Sequence, residues 1–398
     1  MKPLLLLLSV ALPCLALPGL RAETYCVDPA KGNDSNPGTA ELPFRTTAKG
    51  IAKARAGDTV IIAKVDRPIR ESLLIREKSG EEGKPITIDG QGNLFTGSDP
   101  LKPEEWSAVA GQPGVYRNDH LVPGLKPADK NNAFILQRYI MIWDDKPNRM
   151  GRTSKGRHEP FVPVEKLQPG QWTYVDAEAA FYVAIDPAKS LADYAIESPT
   201  RLNGVGISGT CEHWVVKNVR VSRVINDGFN LHGHTRDFVF ENIEATECGD
   251  DGISEHEDSE LTIHGLVSRR NSTGICHGDQ TSSWSDHVVL EDNYAANLFL
   301  RNGTHVITDS VVSAAAPPDG NNGIILNNVP VPINPNPLSM TFTRCRFPFP
   351  SGANPTGKAP FYVDDGVLLT ISDDSKVEGP VYHVPGRKGA PSAPAPAP

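Results

Sequence analysis

Apolar and polar positions alternate in a repeating unit between residues 213 and 365. Six segments align: Asp227-Gly228-Phe229-Asn230-Leu231, Asp251-Gly252-Ile253-Ser254-Glu255, Thr273-Gly274-Ile275-Cys276-His277, Ala296-Asn297-Leu298-Phe299-Leu300, Asn322-Gly323-Ile324-Ile325-Leu326 and Ala359-Pro360-Phe361-Tyr362-Val363. Subtracting their first positions gives steps of 24, 22, 23, 26 and 37 residues. The third place in each is apolar. A period in the low twenties, with one long step for an insertion, predicts a stacked solenoid.

A second apolar column opens each unit, at Val215-Val216, Val239-Phe240, Thr262-Ile263, Val288-Val289, Val306-Ile307 and Thr341-Phe342. Turns such as Lys217-Asn218 and Glu241-Asn242 separate these runs, so each unit holds at least two short strands. No helical period intervenes. One coil cannot bury its own apolar side, but coils stacked roughly 4.8 Å apart share a continuous core. The expected fold is all-β, a right-handed parallel β-helix. A β-propeller would need blades of about 40 residues, too long for this period.

The flanks divide around that repeat. Residues 1–22 have a basic Lys2, an apolar run and a small-residue exit at Ala22, as a secretory leader does. Residues 23–98 read as an N-terminal cap with first coils, with strands at Tyr25–Val27, Asp58–Ile62 and Pro85–Ile88, and a helix from Pro43 to Ala56 that would plug the open solenoid end. Residues 99–200 break the period and predict an inserted β-rich subdomain, with strands at Phe134–Ile142 and Ala180–Ile185. Its aromatics fit a small core of its own. Its basic pieces (Arg138, Lys146, Arg149, Arg152, Lys155, Arg157, His158) could overhang a groove. Residues 201–382 are the coils, closing with strands at Leu368–Ile371 and Val377–Val384. Residues 383–398 form a Pro/Ala-rich tail that cannot build a core.

The net charge of -9 argues against nucleic-acid or anionic-membrane partners, and the expected chain is exported, secreted or periplasmic, and monomeric. Five cysteines follow the leader: Cys26, Cys211, Cys248, Cys276 and Cys345. Cys248 and Cys276 sit six residues apart in register, roughly 20 Å of extended chain, so reduced, buried thiols are expected.

Strand parity assigns the faces. With Phe229 and its equivalents inward, Asn230, His232, Ser254, His256 and Arg301 point outward, and Asp227, Asp250 and Asp251 stand at the turn into the strand. Carboxylates on adjacent rungs cannot both ionise cheaply, and an acid beside a carboxylate is what glycosidic cleavage needs. Asp227, Asp250, Asp251 and His256 are therefore the catalytic candidates. His232, Asn230 and Arg301 are the substrate-binding ones, Arg301 suiting a uronate or sulfate. Glu255 and His277 share the next inward column; they either contact one another or, through a bulge, join the substrate face. Asp-Gly pairs also arise from turns that favour left-handed dihedrals. No zinc spacing or EF-hand loop is present and no cofactor is expected, although aspartates of different coils are compatible with a calcium site.

The blocks "GNDSNPGTAELPFRTTAKGIAKARAGDTVIIA" and "KPITIDGQG" resemble entry segments of secreted β-helix proteins of the pectate-lyase-like superfamily. Ile225-Asn226-Asp227-Gly228-Phe229 and Gly249-Asp250-Asp251-Gly252 resemble the Asp-Gly and double-Asp motifs of polygalacturonases, a likeness that implies an acid–base role for Asp227, Asp250 and Asp251. The family's His-Gly falls on Thr273-Gly274, and of its Arg-x-Lys only Arg301 keeps a positive charge. The expected function is a glycoside hydrolase acting on an extracellular polysaccharide. Hydrolysis is preferred to β-elimination because carboxylates outnumber bases and the outward ladder has no lysine. A polysaccharide lyase and a non-catalytic carbohydrate-binding protein remain the alternatives.

Overall fold

A computed structural model describes residues 21–315, 323–328, 337–349, 361–379 and 381–384. Most of the leader and of the tail lie outside these residues. The chain winds as a parallel β-helix in which each full coil contributes three strands. The first column runs through Phe229, Ile253, Ile275, Leu298, Ile324 and Phe361, each directly over the next. All six are at most 1% exposed. Each buried side chain of this size contributes about 1.5–3 kcal/mol relative to exposure, and the stack makes one core along the axis. This is the predicted register, rung for rung.

The second column departs once. Val215, Val239, Thr262, Trp284, Val306 and Thr341 are vertical neighbours. Trp284 thus stands where Val288 was expected. Val288 instead pairs with Leu266 in the third column. A search for β-branched pairs passes over Ser283-Trp284-Ser285, because serine carries no strand signal.

Two turn types separate the columns. Asn218, Asn242, Gly265, His287 and Asp309 all take left-handed φ, from 49° to 84°. The turns at Asn218 and Asn242 are those the sequence marks, and Asn242 donates to the Asn218 side chain at 2.8 Å. The glycines of the aligned segments differ: Gly228, Gly252 and Gly274 are not left-handed. Their reason is contact between coils. A Cβ on Gly228 would lie 2.7 Å from the Gly252 carbonyl oxygen, and one on Gly252 would lie 2.0 Å from Ser268 Oγ and 2.6 Å from the Gly274 carbonyl oxygen. Stacking, rather than dihedral preference, selects glycine there.

At the N-terminal end a helix, Thr47–Lys53, starts from the Thr46 cap, whose hydroxyl accepts from Lys49 N. It is shorter than the Pro43–Ala56 span expected. Ile51 is buried in the solenoid core cluster with Val27 and Val60, so the helix closes that end. The insertion folds as two four-stranded antiparallel sheets around Trp106, Tyr139, Trp172, Tyr174 and Phe181. These aromatics pack together as its core, which Ile225 of the coils joins. Phe134–Leu136, expected as strand, lies in a helical turn, Asn132–Leu136, and the strand is only Met141–Trp143. The five cysteines are free, four of them buried. No helix among the described residues is long and apolar enough to cross a membrane.

The contact reading of Gly252 has a direct consequence. Gly252→Ala is expected to destabilise the protein by about 1–3 kcal/mol, the usual cost of overpacking. A denaturation midpoint unchanged from wild type would show that the coils part easily at that rung.

Candidate functional site

Outside the Phe229 column, Asn230, Ser254, Cys276, Phe299, Ile325 and Tyr362 form one vertical row. At one edge of this face stand the three aspartates. At the other stand His232, His256 and Arg301. Asp251 and His256 are five residues apart on an extended strand, about 16 Å of backbone at roughly 3.3 Å per residue. The face therefore carries two polar clusters rather than one convergent site.

The first cluster is covered. Asp227, Asp250 and Asp251 are 2–3% exposed. Asp227 Oδ2 accepts from Asn226 at 3.0 Å, Asn230 at 2.7 Å and Ser254 at 2.6 Å, while its Oδ1 accepts from Asp251 N at 2.9 Å. So Asn230, expected to face substrate, is a buried donor that holds Asp227. Asp250 and Asp251 are reached by cations from the insertion. Lys155 Nζ lies 2.6 Å from Asp250 and 2.7 and 2.9 Å from the two oxygens of Asp251. Arg138 Nε donates to Asp250 at 2.9 Å and to Asn226 at 2.9 Å. Arg149 holds the carbonyl oxygens of Cys248 at 2.8 Å and Arg270 at 3.1 Å. Gly249 makes this docking feasible, because a Cβ there would lie 2.2 Å from the Arg138 carbonyl oxygen.

One oxygen from each aspartate lies within 4.8 Å of the others, a spacing that suits a cation. The Lys155 ammonium supplies that charge, and the oxygens of Asp227 already accept four protein donors.

Charge balance decides the protonation. Two cations, Arg138 and Lys155, face three carboxylates. Burial pushes the Asp250 carboxyl up, but the charges of Lys155 and Arg138 outweigh it and hold it well below the usual range. Burial, and then the neighbouring Asp250 charge, raise Asp251 well above its ordinary value, with only Lys155 opposing. Burial works against the Lys155 ammonium, yet Asp250 and Asp251 keep it protonated to unusually high pH. The two adjoining carboxyls are therefore driven in opposite directions, Asp250 toward its ionised form and Asp251 toward its protonated one.

The second cluster is open. The His232 and His256 rings stack with centroids 4.6 Å apart, and their side chains are 41% and 30% exposed. Burial, followed by the charge of His256, lowers the His232 pKa. Glu257 lies 3.5 Å from His232 Nδ1, and Asp279 lies 3.8 Å from His256 Nδ1. One rung on, Gly278 lies between His256 and Arg301: a Cβ there would be 4.0 Å from His256 Nδ1 and 3.9 Å from Arg301 Cβ. The result is a notch with the His256 imidazole on one side and the base of the Arg301 side chain on the other.

Glu255 and His277 point into the solenoid, 0% and 1% exposed, with His277 Nδ1 3.8 Å from Glu255 Oε2. They contact each other and no outward bulge exposes them, so neither reaches a substrate on the face. Burial, with Glu260 adding to it, raises the Glu255 pKa well above its ordinary value. Burial, then His305 and His256, pull His277 well below its own.

Sequence reasoning missed Lys155 and Arg138 as partners of the carboxylates. Both belong to the basic run marked as overhanging a groove, but nothing local links residue 155 to residue 251. The outward ladder of the repeats has no lysine, yet the insertion brings one to it.

Glu255 generates a pH prediction. Its folded-state pKa is raised, so its stabilising contribution is complete below the unfolded value and is lost as pH rises. Each unit of such a shift costs about 1.4 kcal/mol above the folded pKa. Glu255→Gln removes the titration. Its melting temperature should exceed wild type by about 2–4 °C or more at pH 8, with the gap closing toward pH 4. Parallel curves for the two proteins would mean that Glu255 is not held neutral.

No protein-family model matches the chain. An uncharacterised Bacillus subtilis (strain 168) protein, YwoF, is 47% identical over 57 residues, 14% of this chain and 12% of that one. The match therefore spans about an eighth of that relative's length. A solved structure described as a glycoside hydrolase superposes on 92% of this chain and 97% of its own, at 11% identity and a TM-score of 0.53. Pectate lyase Pel9A covers 90% of this chain and 80% of its own, at 13% identity and a TM-score of 0.39. At such identities the likeness concerns architecture alone. The chain has a right-handed parallel β-helix fold, an architecture it shares with the structure described as a glycoside hydrolase.

Proposed function

We propose that the protein is an exported polysaccharide-active enzyme, and that it is a glycoside hydrolase whose acid–base pair is Asp251 and Asp250. The observation that carries this reading is the split within the pair: Asp250 is bonded by two cations, whereas Asp251 shares one of them. Glycosidic cleavage requires such an inequality. Asp251 gives its proton to the leaving glycosidic oxygen as the bond to the anomeric carbon breaks. The Asp250 carboxylate activates water or attacks that carbon, and water restores both groups. The fold shared with a structure described as a glycoside hydrolase supports the class. Lys155 is the way in: its side chain is 28% exposed against 3% for each carboxyl, so a sugar reaches the pair where that side chain moves aside. The open notch at His256, Gly278 and Arg301 binds the chain farther along the strand.

A second reading rests on that notch. The His256 imidazole beside the Arg301 side chain supports β-elimination, with His256 removing the proton next to a uronate carboxylate held by Arg301.

Incubation with a panel of uronate, sulfated and neutral polysaccharides separates the readings. Reducing ends without ultraviolet absorbance indicate hydrolysis, and Asp251→Asn should then lower kcat by at least about a hundredfold, the lower end of a general acid's contribution. Unsaturated ends that vanish in His256→Ala indicate elimination. Binding with neither product leaves a carbohydrate-binding protein and removes the enzyme.

A further inference from the structure

The insertion does more than pack on the solenoid, because it inserts a charge into the site. Three contacts seat it. Arg149 crosses to the Cys248 and Arg270 carbonyl oxygens, Lys155 N donates to Ser272 Oγ at 3.2 Å, and Arg138 bonds Asp250 while its guanidinium lies 4.2 Å from the Phe134 ring centroid. These contacts hold the Lys155 backbone beside one coil and aim its side chain at the next. Arg138 touches Asp250 and not Asp251, whereas Lys155 bonds both. The two carboxyls are neighbours in sequence and almost equally buried. What distinguishes them is which cations reach them.

We infer that Lys155 is a positioning residue of the site: its ammonium, delivered by the insertion between the two carboxyls, favours the charged form of both, on top of the preference for Asp250 as the carboxylate that Arg138 creates by reaching Asp250 alone. The inference rests on the proposed function only for its catalytic meaning; the assignment itself concerns the resting protein. Every charged or titratable group that faces the pair enters it. Asp227 approaches from the preceding coil and disfavours a second negative charge, and Cys276 on the following coil stays a thiol, its pKa pushed up by burial and by Asp251. Arg138 and Lys155 come from the insertion, and Arg149 is committed to backbone carbonyl oxygens. Removing Lys155 leaves Asp250 with Arg138 alone and Asp251 with no cation, so both carboxyls should hold their protons to higher pH.

The test uses the full chain with carboxyl-labelled aspartate, followed by carbon NMR through a pH titration. Asp250→Asn and Asp251→Asn identify the two resonances. In wild type, the Asp250 signal should stay ionised down to the acid limit of folding, and the Asp251 signal should stay protonated at neutral pH. In Lys155→Met, both should titrate higher, Asp250 by about one unit or more, the usual effect of removing one adjacent opposite charge. Lys155→Arg should return both titrations to their wild-type positions. Lys155→Gln repeats the measurement with a polar neutral side chain should the methionine variant fail to fold. Two carboxyls that titrate identically with and without the Lys155 charge would overturn the inference, whatever substrate is found.

Where a substrate is cleaved, both limbs of the kcat/KM profile should move to higher pH in Lys155→Met and return in Lys155→Arg. A profile lowered in height but not displaced would reduce Lys155 to a packing contact and also overturn the inference. Full activity in Asp251→Asn together with a displaced carboxyl titration would instead reject the hydrolase reading and leave the inference standing.

Discussion

The structure depends on the vertical pairing of parallel strands about two dozen residues apart. That pairing satisfies the backbone hydrogen bonds of each coil with its neighbours, and it forces every side chain into a column of equivalents. The inward column from Phe229 to Phe361 is apolar along its whole length. Where two coils touch closely at a turn, glycine fills the column over three successive coils before Asn297 enters it. The Gly228, Gly252 and Gly274 series shows that steric demand without any unusual dihedral.

The same stacking concentrates charge. Asp227 and Asp251 occupy adjoining coils at one edge of the face, and Asp250 adds a third carboxylate. In a bare solenoid this edge would repel itself. Asp227 is stabilised within the solenoid by Asn226, Asn230, Ser254 and the Asp251 backbone. Among the described residues, the cations that compensate the other two carboxyls come from the insertion, as Lys155 and Arg138. The insertion is thus an electrostatic partner of the coils as well as a separately packed unit, and Gly249 lets its backbone approach closely enough for that role.

Burial treats the ionisable residues of the repeat unequally. Glu255 and His277 are one residue from outward positions, yet they face inward, where both are driven toward their neutral forms. His232 and His256, on the outward parity, stack in the open. A single step along a strand separates a core acid from a solvent-facing base, because side chains alternate with period two.

Much of this was legible in the chain. The repeat of Asp227-Gly228-Phe229 and its successors determined the fold class, the inward column and the adjacency of the three aspartates, because stacking register follows from periodicity alone. Parity likewise placed His232, His256 and Arg301 on one row. The tertiary structure decided what lies over that face. Residues 138, 149 and 155 belong to a segment without period, so no spacing rule ties them to residues 250 and 251. It also decided that the carboxyls are covered while the imidazoles are open, and that Trp284 rather than Val288 completes its column. Periodicity specifies neighbours within the solenoid; contacts between the solenoid and an aperiodic insertion arise only from the packing of two separately folded surfaces.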